Sequence, residues 1–415
     1  MTDTPVEEER PARRRDAGAF WRYWTGATAS GVGDAVTTVA LPLVAVEVLK
    51  ASSFEVSLIT AANYAAWILI GLPAGVLVQR LPLRGTQVAM DLLRAAVLLS
   101  VPLAAALGEL HLAHLVLVAL VVGLATVVFD IGNSTFLTSI VSKEELTARN
   151  SLTSASSAAT QLGGPSLGGV LVQVVGAATS LLVDVASYLV SAFLLQSLPR
   201  PDREARPPAG VSMGRLIRDG WRFVAHHPVI GPCVAAATLV NFGCGALMAM
   251  TPLFLVRTLD LPVGVVGLLM AAEGAGSLLG AAVTPLLARK LGGARAVLAA
   301  SSAGALLAAL IPLASGGWGM LLFVVGATGF STGVVVLSIV TRTHRQTVTP
   351  AELLPRVMAT VRFVSWGAVP VGALTAGLLA TAAGPREALW LVSAAGAGAA
   401  VTLAASSVRR LRDLV

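Results

Sequence analysis

The stretch GDAVTTVALPLVAVEVLK, residues 33–50, returns 210 positions later as GCGALMAMTPLFLVRTLD, residues 243–260. Both copies begin with glycine and carry proline at the tenth position, inside a run of apolar residues. Two further pairs of segments repeat at offsets of 209 and 207 positions: residues 71–80 with 280–289, and EELTAR (144–149) with AELLPR (351–356). Three matches at nearly one offset predict a chain built from two similar halves.

The composition indicates the medium in which these halves fold. Of 415 residues, 55% are apolar and 12% are charged, and the mean hydropathy is +0.80. A membrane-spanning helix needs about 20 mostly apolar residues. Twelve such segments are predicted: 20–48, 55–79, 86–107, 113–137, 148–175, 177–198, 229–256, 262–288, 295–314, 318–341, 357–381 and 387–408. Because polar and apolar residues do not alternate in them, we expect an all-α membrane protein and not a barrel.

The positive charges indicate how the helices are oriented. Of 29 Lys and Arg residues, only Lys50, Arg257 and Arg386 fall on loops of one side, and the rest lie on the other side or at its helix ends. Cytoplasmic loops carry such an excess of positive charge. We therefore expect a multi-pass protein of the cell (inner, cytoplasmic) membrane, surrounded by lipid bilayer, with both termini in the cytoplasm.

Other classes of function find little support in the sequence. The basic excess of +7 is spread over tails and loops, whereas a nucleic-acid site would concentrate it, so no nucleic-acid partner is expected. The histidines and cysteines lack companions at metal-ligand spacing, and neither a phosphate-binding loop nor a Gly-x-Ser-x-Gly motif occurs. We expect no metal, no cofactor and no enzymatic activity.

A charged, proline-rich stretch, LPRPDREARPPAG (198–210), divides the chain. We predict a cytoplasmic tail, a six-helix bundle, a cytoplasmic linker that ends in an interfacial helix, a second six-helix bundle and a final tail. These units correspond to residues 1–19, 20–198, 199–228, 229–408 and 409–415. Six-helix repeats in the same orientation are typical of a transporter built from two bundles, and we expect it to be a monomer.

Two carboxylates fall near the middle of predicted spans. Asp34 is the fifteenth residue of the first span, and Glu273 is the twelfth residue of the eighth. An ionisable residue at this depth costs about 2.5–3.5 kcal/mol on insertion scales, so it indicates a partner, a water-filled cavity or a function. A structural explanation pairs each acid with an arginine, and it suits Asp130 and Asp184, nearer the surfaces, better. The functional explanation makes Asp34 and Glu273 candidates for proton coupling in a cavity between the bundles.

Polar and aromatic residues at similar depth are candidates for lining that cavity. They offer a small-molecule substrate hydrogen bonds or flat apolar faces, although each could equally face a neighbouring helix: Asn63, Tyr64, Trp67, Gln161, Asn241 and Phe242. Arg362, near the start of the eleventh span, is expected to extend to the cytoplasmic surface and not to bind substrate.

The motif GGPSLGG (163–169) and the stretch SGVGDAVTTVALP (30–42) together resemble the major facilitator superfamily. GGPSLGG is similar to the GPxxGG core of the fifth-helix motif of its proton-coupled antiporters. The second stretch resembles the branch of drug, macrolide and siderophore exporters, including an acidic residue where Asp34 stands. The resemblance covers residues 18–408 and implies twelve helices in two bundles, alternating access, proton-coupled efflux and a role such as multidrug resistance.

The loop after the second span departs from the superfamily pattern GxxxDRxGRR. It keeps the first glycine and two of the arginines: Gly75, Arg80 and Arg84. Gln79 replaces the acidic residue and Pro82 the second glycine, which weakens a charge-relay role in gating. Asp91 and Arg94, one turn apart at the start of the third span, are the candidates to take over that role.

The residues of GGPSLGG also have a physical explanation of their own. Small residues at Gly164, Gly168 and Gly169 let two helices approach closely in lipid, and Pro165 removes a backbone donor and bends its helix. The second half keeps small residues at the matched positions but has Ala373 in place of the proline. The motif therefore predicts either a moving, gate-forming helix or a static packing kink.

Taken together, the residues predict a proton-coupled exporter of an amphiphilic small molecule, with cationic molecules among the expected substrates. A siderophore or lysolipid exporter and an uptake symporter are alternatives within transport. A non-transporting membrane scaffold or sensor is an alternative from another class. Carboxylates at matched depth favour transport, because a scaffold gains nothing from them.

Overall fold

A computed structural model of the protein describes residues 17–51, 53–199, 211–261 and 263–414. The first half contains six long helices: α1 (Ala17–Glu47), α2 (Ser53–Arg80), α3 (Leu83–Leu107), α4 (Leu112–Ile140), α5 (Leu146–Val175) and α6 (Ala177–Gln196). A short helix, α7 (Met213–His226), comes next. The second half then contains α8 (Ile230–Leu253), α9 (Val263–Leu291), α10 (Gly293–Ala308), α11 (Leu310–Leu313), α12 (Met320–Val348), α13 (Leu354–Ala383) and α14 (Pro385–Ala405). The expected all-α class is confirmed.

The lengths of these helices agree with a membrane protein. Within the described ranges, 11 helices are long and apolar enough to cross a bilayer, and α10 with α11 counts as one of them. The remaining long helix, α5, has 30 residues but is rich in Ser and Thr, and only its part Ser166–Val175 is strongly apolar. Its polar half faces other helices and the cavity described below, so the arrangement is consistent with twelve spans.

The backbone repeats where the sequence repeats. Lys50 after α1 and Asp260 after α8, which the offset of 210 superimposes, both have a positive φ, of 55° and 52°. Gly176 before α6 and Gly384 before α14 also correspond, with φ of 86° and 108°, a region that favours glycine. The two halves therefore share the conformations of their helix ends as well as their helix order.

Each half forms a bundle with its own core. In the first bundle α1 packs on α5 and α6, α2 on α4, and α3 on α6. In the second bundle α8 packs on α13 and α14, while α12 packs on α9 and α10. The bundles meet mainly where α5 contacts α9 and where α2 contacts α13. We call the face with α7 and the turns 81–82, 141–145 and 349–353 the linker face, and the opposite face the far face.

The GGPSLGG residues have two different surroundings. Gly164 lies against Ala35 and Gly168 against Val36 of α1, so an added side chain would separate α5 from α1. Gly163 and Gly169 face open space, and the side chain of Pro165 lies outside the described part of the structure. Close packing thus explains Gly164 and Gly168, whereas Gly169 makes no such contact.

The second bundle repeats this packing. Gly372 of α13, at the position matched to Gly164, lies against the backbone of Phe242 on α8. Ala376, matched to Gly168, is fully buried, and Gly377 faces open space. Small residues therefore hold α5 to α1 and α13 to α8 in the same way, and the repeat is structural as well as sequential.

Two segments outside the bundles lie on the linker face. In α7, Leu216 and Val224 are buried, and Gly220 lies against Arg356 of α13. At the end of the chain, the backbone N–H of Gly293 donates to the Asp413 carboxylate at 2.6 Å, and that of Ala294 donates to the Arg412 carbonyl at 3.2 Å. Residues 412 and 413 are thereby attached to the start of α10.

Candidate functional site

Asp34 belongs to a polar cluster inside the first bundle. The Tyr188 hydroxyl of α6 donates a hydrogen bond to Asp34 Oδ1 at 2.5 Å. The Arg94 guanidinium of α3 lies 3.9 Å from the same oxygen. Arg94 is 1% exposed, whereas the side chain of Asp34 keeps 42% of its accessible surface. Asp34 thus has a buried partner on one side and open space on the other, which combines the two explanations that the sequence allowed.

Arg94 is the centre of this cluster. Its guanidinium lies 4.3 Å from the ring centroids of Phe129 and Tyr188, and it pairs with the buried carboxylate of Asp91. Aromatic faces and carboxylates both stabilise a cation that water does not reach. Asp91 and Arg94 therefore lie in the core of the first bundle beside Asp34. The expectation that they replace the acidic residue of the loop after α2 is wrong, because neither side chain reaches that loop.

Asp184 is the third carboxylate of the cluster, and it is fully buried. Thr37 of α1 donates a hydrogen bond to it, and the Ser187 hydroxyl donates another at 2.9 Å. The bond from Thr37 connects α1 to α6, and the bond from Ser187 lies within α6. Its geometry fits the structural explanation better than a role in transport, in line with its position away from mid-depth.

Glu273 of α9 has a different environment from Asp34. It is half-buried, and its carboxylate makes neither a hydrogen bond nor an ion pair with the residues whose side chains are described. Its neighbour Gly274 lies against Leu162 of α5, where the bundles meet. Among the described side chains Glu273 therefore has no partner, and it lies close to the junction of the bundles.

A cavity of about 360 Å³ lies between the bundles, from the middle of the helices toward the linker face. Its size is within the range of small-molecule sites. Its wall is mostly polar, with hydroxyl, amide and charged groups: Tyr23, Asp130, Asn133, Ser134, Asn150, Thr153, Ser157, Gln161, Asn241, Ser338, Thr341, Arg342, Arg345, Gln346, Arg362 and Ser365. The predicted Gln161 and Asn241 are among these residues.

The other lining candidates lie elsewhere. The backbone of Asn63 packs against Gly123 of α4, and the backbone of Phe242 packs against Gly372 of α13. Trp67 lies at the edge of the cavity, with its ring 5.8 Å from that of Trp366, which does line it. The side chain of Tyr64 lies outside the described part of the structure. Asn63 and Phe242 are not among the described residues that line this cavity, since sequence gives depth in the membrane but not the rotation of a helix.

Arg362 lies inside the protein and does not extend to the surface as expected. Its guanidinium binds the Asp130 carboxylate of α4 at 2.8 Å and lies 4.7 Å and 4.3 Å from the rings of Trp67 and Trp366. This cluster joins α2 and α4 of the first bundle to α13 of the second. The two aromatic rings and the carboxylate stabilise the guanidinium inside the protein better than contact with water at the surface, which explains why the side chain does not extend there.

Amide groups close the cavity toward the linker face. Asn150 Nδ2 of α5 donates to Thr343 Oγ1 at 3.0 Å and to Gln346 Oε1 at 2.6 Å, both on α12. Gln346 Nε2 in turn donates to the Ser134 carbonyl of α4 at 2.8 Å. Three helices from both bundles are thus held together by one amide chain below the cavity.

The loop after α2 takes part in this closure. Gln79 donates a hydrogen bond to the carbonyl of Glu352, and Gly75 lies against Ala359 of α13. Arg80 donates to the Val211 carbonyl at 2.8 Å, which attaches the linker to the first bundle. Arg84 donates to the Leu198 carbonyl at 2.6 Å, within that bundle. An amide in place of the acidic residue therefore still reaches across the bundles, by a neutral hydrogen bond.

Sequence reasoning missed the cations that line the cavity. The tenth span was predicted to end at residue 341, before the first arginine of TRTHRQT, but α12 continues to Val348. Arg342 and Arg345, three positions apart, consequently lie inside the protein. The signal was present in the sequence, since arginines three residues apart share a helix face, and the hydroxyl and amide residues around them continue a helix as well as they start a loop.

Two six-helix bundles around a polar cavity that is closed at one face define a membrane transporter of the two-bundle class. The chain belongs to the major facilitator superfamily, because the family model described as "Transmembrane secretion effector" matches residues 14–414. The MFS-type transporter YvqJ of Bacillus subtilis (strain 168) is 24% identical over 301 residues, which are 71% of this chain and 70% of YvqJ.

Solved structures share the fold. A bacterial homologue of the iron transporter ferroportin, in its outward-facing state, superimposes with a TM-score of 0.79 at 16% identity, over 93% of this chain and 98% of that chain. The E. coli fucose:proton symporter FucP superimposes with a TM-score of 0.75 at 14% identity, over 94% of this chain and 99% of that chain. At these identities the likeness concerns the fold alone.

Proposed function

We propose that this transporter exports amphiphilic small molecules from the cytoplasm, driven by protons that move inward. The observation that carries the proposal is a polar cavity between the bundles, closed at the linker face by hydrogen bonds from both of them. The excess of positive charge on the linker face supports placing that face in the cytoplasm, and with it the inner membrane as location. The family description, "Transmembrane secretion effector", supports the outward direction.

Alternating access follows from how the bundles are built. Each is held internally by small residues, with Gly164 and Gly168 packed on α1 and Gly372 packed on α8. Between the bundles, the described contacts include amide bonds and one arginine cluster beside the cavity, and the packing of α5 on α9 and of α2 on α13. Rigid bundles with weaker contacts between them rock as units. Opening the linker face would admit substrate, and closing it would leave the substrate in the cavity for release on the other side.

Asp34 is the proposed proton carrier, and its surroundings provide the coupling. As a carboxylate it attracts Arg94 and accepts the Tyr188 hydrogen bond, and its partly exposed side chain lets a proton reach it. Protonation would weaken the attraction to Arg94 and loosen α1 from α3. Since α1 also carries the packing surface of α5, a change at Asp34 reaches the helix that contacts the second bundle. Glu273, near that junction, is the second candidate.

The test uses inverted membrane vesicles and labelled amphiphilic compounds with an imposed pH gradient. Asp34→Asn should abolish accumulation driven by the gradient but keep substrate counterflow, because counterflow needs no net proton movement and the amide keeps the size of the side chain. Glu145→Gln is the matched control, because that carboxylate is exposed, distant from the Asp34 cluster and paired with the nearby Arg149: it should leave transport and its pH dependence intact. Normal export by Asp34→Asn with unchanged pH dependence would show that Asp34 is a structural acid.

A further inference from the structure

The cavity wall contains three arginines but one carboxylate. Asp130 binds Arg362, which leaves Arg342 and Arg345 of α12 without an acidic partner among the residues whose side chains are described. Arg342 is repelled by Arg362 and attracted, by a smaller amount, by Asp130, while Arg345 is repelled by Arg342. Like charges this close repel each other in a region that water reaches poorly. The cavity therefore has a strong excess of positive charge.

The two arginines are also poorly satisfied by hydrogen bonds. Arg342 donates to Ser338 Oγ and Arg345 to Thr341 Oγ1, each at 3.5 Å and each within its own helix. Arg345 is 8% exposed, and its Nε has no hydrogen-bond partner within the described structure. A buried charge is normally paired, because leaving it without a partner is costly. Donors of two guanidinium groups thus remain available to a ligand in the cavity.

Apolar groups lie beside these donors. The ring of Trp366, half exposed, lines the same cavity as the side chains of Met358 and Val361. A guanidinium offers a planar fork of N–H donors that suits phosphate, sulfonate and carboxylate groups. The wall therefore matches a molecule with an anionic head and an apolar body.

We propose that the cavity binds amphiphilic organic anions, with Arg342 and Arg345 holding the anionic group. This deepens the proposed function, on which it rests, by naming the class of substrate. It also replaces the expectation of a cationic substrate, since a cation would meet the guanidinium groups while Asp130, the carboxylate among the described lining residues, is paired with Arg362. The anion would accept short hydrogen bonds from guanidinium groups whose acceptors within α12, Ser338 and Thr341, lie 3.5 Å away.

The experiment compares two dyes that differ in charge. The purified full-length protein in phosphatidylcholine nanodiscs is titrated with 8-anilinonaphthalene-1-sulfonate and with N-phenyl-1-naphthylamine, which has the same rings without the sulfonate. The wild type should bind the sulfonate dye more tightly. Arg345→Gln and Arg342→Gln should each weaken it about tenfold, the loss of one charge-assisted hydrogen bond, and leave the neutral dye unchanged.

Two further variants control for charge and folding. Arg295→Gln removes one positive charge from an exposed site on the linker face and should change neither affinity. Arg345→Lys keeps the charge and should lose less affinity than Arg345→Gln. Unchanged binding of the neutral dye shows that a variant is folded, and Arg342→Gln, at a less buried position, is the test if Arg345→Gln does not fold. An equal preference for the sulfonate dye in the wild type and both glutamine variants would overturn the proposal.

Binding and transport can fail separately. The titration needs no gradient, so a wild-type preference for the sulfonate that depends on Arg342 supports the anion site even if no proton-driven export is found. Export of the neutral dye alone, without that preference, supports transport and refutes the anion site. Adding phosphatidylglycerol to the nanodiscs separates the sources of the anion. If phosphatidylglycerol weakens binding of the sulfonate dye in the wild type but not in Arg342→Gln, the site binds a lipid headgroup. If it does not weaken binding in the wild type, the site binds a free organic anion.

Discussion

The ion pair between Asp130 and Arg362 should contribute to keeping the linker face closed, and Asp130→Asn tests how much. The pair has a separation of 2.8 Å, and its side chains are 28% and 26% exposed. A hydrogen bond to a charged group contributes about 1.5–3 kcal/mol, and partial exposure lowers this to about 1–2 kcal/mol. Because 1.4 kcal/mol is a factor of ten, the population open to the linker face should rise roughly 5- to 30-fold. Arg362 keeps Trp67 and Trp366, so closure is weakened and not abolished.

Cysteine accessibility measures this population. Ser157→Cys places a thiol in the cavity wall, in a background where Cys233 and Cys244 are replaced by alanine. In inverted vesicles the linker face, which we propose is cytoplasmic, is exposed to a membrane-impermeant maleimide. As long as the closed form dominates, the labelling rate is proportional to the open population. It should therefore rise by the same factor when Asp130→Asn is added.

The matched control removes a carboxylate that joins no helices from different bundles. Glu145, immediately before α5, forms an ion pair of 3.1 Å with Arg149 of that helix, and the Glu145 side chain is 54% exposed. Glu145→Gln should leave the labelling rate of the cavity thiol unchanged, although it removes the same charge from the same face. Equal rates for wild type, Asp130→Asn and Glu145→Gln would refute the reasoning, because the ion pair would then contribute nothing to closure.

Three other outcomes are expected. Arg94→Leu should destabilise the detergent-solubilised protein by about 3–5 kcal/mol in thermal unfolding, because it leaves Asp91 buried without its partner. Adding Asp91→Leu should recover part of this loss, and equal stability of the single and double variants would contradict the reasoning. Gly372→Val should reduce the folded yield and Gly377→Val should not, because only at position 372 would the added side chain collide with backbone atoms of a neighbouring helix. Equal yields would contradict the packing argument. Glu109→Cys, exposed on the far face, should react with an impermeant maleimide on intact cells, and labelling restricted to inverted vesicles would reverse the orientation.

The architecture could be predicted from the sequence because it depends on signals that a chain carries locally. Apolar length gives a helix across the membrane, and the offset of about 210 residues gives two equal halves, which the backbone repeats at Lys50 and Asp260. Small residues gave the close packing at Gly164 and Gly168. Length, hydropathy and residue size can be read without knowing which helices are neighbours, so these predictions do not depend on how the helices pack.

The site was harder to predict because it depends on helix rotation and on partners distant in sequence. Gln161 lines the cavity, whereas only the backbone of Asn63, at a similar depth, packs on α4, and no property of the single sequence separates the two residues. Asp130 and Arg362 are 232 positions apart, so their pairing could not be seen. Arg342 and Arg345 were missed for another reason: the predicted span was ended before them because positive charges are expected at the membrane surface.

The attachment of the chain end to α10 has a practical consequence for following single turnovers. The Asp413 carboxylate and the Arg412 carbonyl accept hydrogen bonds from backbone N–H groups of α10, so a fluorophore on a cysteine in place of the exposed Arg412 would move with the second bundle. A second fluorophore at Lys143, in the exposed turn before α5, would report on the first bundle. Energy transfer between the two dyes would then fall when the bundles part at this end and rise when they close. Each rocking cycle would become a countable optical event, whichever molecule is carried.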